Sequence, residues 1–311
     1  KDDLVIFLIS GGASALLCSP LDGINFVEKQ KINNELLKSG ASIDEMNIVR
    51  QSISAVKGGR LLELIKPSNC ITYGISDIPG DDPSFIGSGP TIYSNNDPNK
   101  LFEILDNYQI EISKEILSII KTNLLPKGIN ENFHLIASPM KALKAASNLA
   151  KKIGFLPIIL SDKLEGDASK EGERMANLAL KIKKEKRYKN ISLEKPILLL
   201  SGGETTVKVN GLGKGGRNSE FALSMVNTLK GNKNILGLSI DTDGIDGSED
   251  NAGAFFSYET FLKSKKLNLD IKKYINNNDA FSFFEKTKDL IYTGPTLTNV
   301  NDFRAVLVLP N

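Results

Sequence analysis

The hydrophobic positions of the chain fall into two periods. The opening run Leu4-Val5-Ile6-Phe7-Leu8-Ile9 is apolar at every position, the pattern of a parallel strand covered on both faces. Helical spacing follows over 26–38 and 44–57, where Ile48, Val49, Ile53 and Val56 share one face. Gly58-Gly59 interrupts the second helix. Residues 70–76 read as a strand, 77–91 as a long loop, and 97–107 and 113–122 as helices. Pro126 and Gly128 punctuate 123–131, which predicts two domains, 1–125 and 126–311. Beyond that point, strand 133–137, helix 139–153 and strand 155–160 form a βαβ candidate, with Pro139 opening the helix and Gly154 at its exit. A helix over 169–187 ends in a basic cluster, Lys181 to Lys189, that reads as solvated. Strands over 196–201 and 205–209, a helix over 218–230, and strands over 235–240 and 303–309 follow. The Lys- and Asn-rich stretch 263–279 reads as surface. No internal repeat is visible, and the alternation of strands and helices predicts α/β architecture in both halves.

Composition narrows the function classes. Lys plus Arg is 39 against 37 for Asp plus Glu, a net charge of +2. This balance gives no support for a nucleic-acid partner, which calls for a basic excess on one face. Two distant cysteines, Cys18 and Cys70, support neither a disulfide framework nor a cysteine zinc site. The single histidine, His134, excludes a His-rich metal centre and reads as structural. No apolar run reaches the roughly 18 residues of a membrane span, and no signal peptide is apparent, so a soluble cytoplasmic α/β protein is expected. Lys1 stands almost directly before an apolar strand, and sequence upstream of it is expected to be missing.

Chemistry concentrates in four glycine-rich loops that follow predicted strands, where open α/β sheets bind ligands. Ser10-Gly11-Gly12-Ala13-Ser14 lets backbone N–H groups approach an anion or serves as a tight turn. The loop 77–91 carries Asp77, Asp81 and Asp82, then Ser88 and Gly89. Such carboxylates suit a divalent cation or a sugar-like hydroxyl, or simply a solvated turn. Gly211, Gly213 and Gly216 fit the dinucleotide fingerprint GxGxxG. The preceding segment 205–210 alternates apolar and polar, however, where a dinucleotide-binding strand is apolar throughout. The better reading is a mobile loop that presents Lys214 and Arg217 beside a helix N-terminus, as phosphate-binding groups. Asp241-Thr242-Asp243-Gly244 opens the fourth loop. Its spacing superficially matches a calcium loop, but position twelve is Ala252 rather than a bidentate carboxylate. Phe281, Phe283 and Phe284 read as core.

Six stretches in order, 8–24, 49–61, 76–91, 199–223, 241–254 and 293–307, resemble the glycerate 2-kinase family, whose C-terminal part is the MOFRL domain. The resemblance runs from residue 4 to about 309, with the MOFRL region near 196–309. It implies a Rossmann-like first domain with a mostly parallel sheet, incomplete here, and a second α/β domain with a mixed sheet. It also implies ATP-dependent, Mg²⁺-assisted phosphorylation of D-glycerate at the 2-hydroxyl in an interdomain cleft. Arg217 in GGRN matches the family's active-site arginine. Ser10, Gly11, Gly12, Ala13 and Ser14 match its SGGGS loop, with Ala13 in place of the third glycine. Asp77, Asp81, Asp82, Ser88 and Gly89 match the substrate and phosphate loop. Gly202, Gly203, Glu204, Thr205, Lys214, Asn218, Thr242, Asp243, Asn299, Asn301 and Asp302 match the nucleotide and cleft loops. The family's lysine motif, Gly-Lys-Ala, has no counterpart before Leu4, and Lys57 belongs to a different motif, VKGGR. The alternatives are an NAD(P)H-dependent hydroxypyruvate reductase using GLGKGG, against which the polar strand and the absence of a supported catalytic histidine speak, and a ligand-binding fragment without turnover.

Overall fold

The computed structural model describes residues 1–310 apart from Pro79, Asn95, Asn96, Asn130 and Glu131. The fold is α/β and divides into two compact units, Lys1–Ala137 and Ser138–Asn311. Residues 133–137 hydrogen-bond into the sheet of the first unit, so the division falls after Ala137 rather than near residue 125.

The first unit has a parallel three-stranded sheet, β1 (Leu4–Ile9), β2 (Asn69–Ile75) and β3 (Phe133–Ala137), in that order. Ile9 on one face is buried, whereas Leu4, Ile6 and Leu8 on the other are 55%, 58% and 73% exposed. The continuous apolar run thus forms the expected strand, but in this chain only one face is covered. His134 sits on the open side of β3, exposed, with its ring stacked on Tyr73. The core of this unit lies instead among four helices, α1 (Phe26–Ser39), α2 (Ile43–Ser52), α3 (Pro98–Asn107) and α4 (Lys114–Thr122). Asn25 with Glu28 and Ser42 with Glu45 form capping boxes that fix where α1 and α2 begin. Helix α2 stops at Ser52, short of the predicted residue 57, and Ile53 remains fully buried beside it.

The second unit is built on a mixed six-stranded sheet. Its strands are β4 (Leu156–Ser161), β5 (Ile197–Ser201), β6 (Ile235–Asp241), β7 (Gly253–Phe256), β8 (Leu290–Ile291) and β9 (Asp302–Val308). The order is β8-β7-β6-β9-β5-β4, with only the β4–β5 pair parallel. Helix α5 (Pro139–Lys152) packs on β4, and α6 (Ala168–Glu185) packs along α7 (Arg217–Leu229). Phe221, Met225, Phe256, Phe283 and Phe284 fill the core at 0% exposure, each full burial contributing about 2 kcal/mol. Of the predicted strand 205–209, only Thr205–Thr206 forms a ladder, paired with Gly166–Asp167. The alternation there reflects a short edge followed by a loop. Among the described residues, no helix is long and apolar enough to cross a membrane.

Candidate active site

The second unit gathers charge at the start of α7. Arg217 is the first helical residue, after Gly216. A cation there faces the positive end of the helix dipole, and carboxylates from three other segments hold it. Nε donates to Asp302 Oδ1 at 2.8 Å, Nη1 to Glu204 Oε1 at 2.7 Å and Nη2 to Asp241 Oδ2 at 2.7 Å. Burial works against the guanidinium charge, and Asp302, Asp241 and Glu204 more than offset it, so its pKa rises. Burial likewise pushes Asp241 up to about 7, against the pull of Arg217.

Asp302 is the hinge of this network. It is buried and accepts from Arg217 and from Asn218 Nδ2 on Oδ1, and from Thr205 N–H on Oδ2, where Arg304 also donates. Arg304 is fully buried and reaches Thr205 Oγ1 and the Gly202 carbonyl, with its guanidinium 4.9 Å from the centre of the Phe221 ring. Asn218 is fixed from its other end by Ser239 Oγ at 2.6 Å. A second carboxylate, Asp246, accepts the N–H groups of Asn218 and Ser219 at 2.9 and 2.7 Å, and the Ser219 hydroxyl. These are orphan donors of the first helical turn. The helix N-terminus expected to meet a phosphate is therefore already capped by the protein's own carboxylate.

The glycine loop before Arg217 differs from expectation as well. Its backbone is latched to residues 277–281: Asn278 Oδ1 accepts from the N–H groups of Asn210 and Gly211, Asn277 from Leu212 and Gly213, and Asp279 from Lys214. A Cβ at Gly211 or Gly213 would overlap the backbone of Asn277 or Asp279. These glycines serve close packing within the chain, and the loop is tied down rather than mobile. Lys214 is exposed and turns to Glu249 at 3.5 Å. Thr242 and Asn301 close the neighbouring loop through Thr242 Oγ1 to the Asn301 carbonyl. The side chains of Asp243 and Asn299 are used in local turns, accepting from Ile245 and Asn301 N–H. Gly203 packs against Leu164. A cleft of about 400 Å³ lies over Glu204, Thr205, Gly213, Gly216, Arg217 and Asp241.

In the first unit, Ser10–Ser14 packs against the turn at 86–89. Ser14 Oγ lies 3.3 Å from Ser88 Oγ, and Ala13 packs against Gly87. Lys57 spans the two loops, donating to the carbonyls of Ser14 and Gly87 at 3.0 and 3.2 Å. Gly11 meets the Asp77 carboxylate so closely that a Cβ would overlap it. Burial raises the Asp77 pKa. Asp82 caps the Ser84 N–H, Asp81 adopts a left-handed backbone and Gly89 packs on Ser84. The three carboxylates of this loop therefore do separate things. Among the described residues, no three His, Cys, Asp or Glu side chains are gathered to hold a metal.

Residues 1–121 match a family model described as a domain of unknown function (DUF4147), and residues 197–302 match the MOFRL family. A relative from Agrobacterium vitis carrying a provisional hydroxypyruvate reductase name is 42% identical over 99% of this chain and 80% of its own length. A D-glycerate 2-kinase of Thermotoga maritima is 38% identical over 99% of this chain and 73% of its own. The crystal structure of a glycerate kinase from Thermotoga maritima superposes with a TM-score of 0.91 at 37% identity, covering 99% of this chain and 74% of that one. With full-length similarity at this level in both sequence and structure, the chain belongs to the glycerate 2-kinase family.

Proposed function

We propose that this chain carries the machinery for ATP-dependent phosphorylation of D-glycerate at its 2-hydroxyl, with Arg217 as the catalytic cation. The observation that carries the reading is the three-carboxylate grip on Arg217, which fixes a guanidinium at the mouth of a cleft. Phosphoryl transfer needs little covalent chemistry and much placed positive charge. Arg217 supplies that charge to the transferring phosphoryl group by exchanging its exposed partner, Glu204, for phosphate oxygens. Asp302 and Asp241 are positioning residues that set the guanidinium plane. In the first unit, the Ser10–Ser14 loop and its neighbours Asp77, Ser88 and Gly89 bind the substrate and its phosphate.

Asp81 would hold a Mg²⁺ that comes bound to the nucleotide. Such an ion needs only one or two protein carboxylates beside phosphate oxygens, and Asp81, with Oδ1 buried and lacking a hydrogen-bond partner among the described residues, fits that need. The ion adds neutralising charge; the positioning steps are those of the residues above.

A second reading, reduction of hydroxypyruvate, is favoured by the name of the Agrobacterium vitis relative. The glycine fingerprint it would use is filled by the chain's own residues 277–279, and the helix N-terminus behind it is capped by Asp246. A dinucleotide pyrophosphate needs both to be open. The test is a parallel assay of one preparation: ADP release with D-glycerate, ATP and Mg²⁺, and NADH oxidation with hydroxypyruvate. ADP release that depends on glycerate supports the kinase. NADH oxidation without it overturns this reading.

A further inference from the structure

Arg304 is a cation in a place that suits a core residue. It is fully buried on β9, opposite Ser239 of β6 on one side and Ser201 of β5 on the other. Side chains opposite one another share a face of the sheet, and two serines leave room for a long one between them. Nη2 donates to Thr205 Oγ1 at 2.9 Å and to Asp302 Oδ2, and Nη1 donates to the Gly202 carbonyl at 3.4 Å. The guanidinium lies 4.9 Å from the centre of the Phe221 ring. Its Nε has no hydrogen-bond partner among the described residues. Burial lowers the Arg304 pKa, Asp302 pulls it up, and the charge of Arg217 pushes it down again. Apolar side chains of similar volume often match or exceed a buried ion pair in stability, so stability alone does not call for an arginine here.

Its contacts fall on the parts that hold Arg217. Gly202 and Thr205 bracket the turn that carries Glu204. Asp302 is divided between the two arginines: Arg304 and the Thr205 N–H occupy Oδ2, which leaves Oδ1 to Arg217 Nε and Asn218. Phe221 lies one helical turn beyond Arg217 on α7. We propose that Arg304 is a positioning residue for Arg217: it pins the Asp302 carboxylate and the 202–205 turn, and through them fixes the plane in which Arg217 presents its guanidinium to the cleft. Arg304 itself touches no reactant. Its effect on phosphoryl transfer rests on the kinase reading, whereas its hold on Arg217 does not. A small misplacement of a catalytic group by a distant change can slow a reaction by about a hundredfold.

The test uses the full chain and two readouts. The first is independent of activity. It is the rate at which the Arg217 Nε–H, bonded to Asp302, exchanges with solvent, followed by NMR of isotope-labelled protein and assigned by its loss in Arg217→Lys. Arg304→Met should speed this exchange by at least about tenfold while the backbone amide spectrum stays native. The second is glycerate-dependent ADP release. Arg304→Met should lower kcat by about a hundredfold and change KM for ATP by less than about threefold. In an Arg217→Ala background the same substitution should lower kcat little further. Arg304→Lys keeps the charge and loses the planar fork. It should move both readouts in the same direction and serves if Arg304→Met does not fold. Unchanged Nε–H exchange in a folded Arg304 variant overturns the proposal. So does an equal loss of kcat in both backgrounds, the mark of a structural defect. Wild-type protein without glycerate-dependent ADP release fails the kinase reading instead, and the exchange rate then decides the hold on Arg217.

Discussion

The two units handle buried positive charge in opposite ways. In the second, Arg217 and Arg304 are held by carboxylates of the same chain: Asp302 serves both, while Asp241 and Glu204 serve Arg217. In the first, among the described residues, buried cations are held by carbonyl oxygens or have no hydrogen-bond partner. Lys57 bonds Ser14 and Gly87, Arg60 bonds the carbonyls of Gln51, Ser54 and Asn123, and Lys29 has no partner. A carboxylate fixes a guanidinium in direction and keeps it charged, so it is ready before any ligand arrives. A carbonyl contributes only a dipole, leaving most of the charge for a ligand to answer. The second unit is thus organised to present a cation in a fixed place, whereas the described part of the first holds its buried cations without carboxylates.

The sharpest way to break this contrast is to remove the held cation. Arg217→Ala should lower kcat for glycerate-dependent ADP release by at least about a thousandfold, with a smaller change in KM. Arg217→Lys should recover little, because an ammonium cannot engage three carboxylates through a planar fork. A near-normal kcat in the alanine variant would take Arg217 out of the chemistry.

Asp302→Asn attacks the holder instead. It leaves two guanidinium groups short of their shared buried carboxylate and should cost about 3–5 kcal/mol in urea unfolding. Loss of less than about 1 kcal/mol would mean that Arg304 is satisfied by Thr205 and Gly202 alone. Asp241 sharpens the picture through pH. Its folded pKa of about 7 lies above the ordinary aspartate value, so the fold binds its proton more tightly than the unfolded chain does. That contribution is present below pH ~4 and is lost as pH rises through about 7. Wild-type stability should therefore carry a downward term of about 4 kcal/mol across this window, and Asp241→Asn should remove it. An unchanged pH profile in the variant would place the titration elsewhere.

The smallest effect is expected in the first unit. Gly11→Ala pushes against the Asp77 carboxylate and should cost about 1–2 kcal/mol. In an Asp77→Ala background the same change should cost much less, and a double-mutant cycle measures the difference. Additive costs would show that the glycine is needed for something other than Asp77.

The sequence exposes some of this design and hides the rest, for identifiable reasons. Period and run length reveal β1, β2, β6 and β9 because strand faces are a local property. Arg217 emerges from its motif and its place before a helix. Arg304 was readable by a different signal: it falls in phase with Asp302, Val306 and Val308 on the buried face of β9, where an arginine is out of character. Asp246 as a helix cap was not readable, since capping from a loop beyond the following strand depends on tertiary placement. Nor was the latch of Asn277, Asn278 and Asp279, whose amides and carboxylate look like solvated surface until the glycine loop is laid against them. Lys57 lay in view within VKGGR, but its bonds to the Ser14 and Gly87 carbonyls form only when the two loops meet.

The position of β9 also dictates the order in which the molecule can be completed. This strand lies between β6 and β5, so without it the large sheet is two separate fragments with facing unpaired edges. During synthesis, the three strands β1, β2 and β3 of the first unit have emerged by residue 137. The second must wait for its middle strand, the last of the sheet to leave the ribosome, with helices and five strands already outside. The nascent chain therefore passes through a long interval with a half-made sheet and open edges, the state in which aggregation and chaperone capture compete with folding.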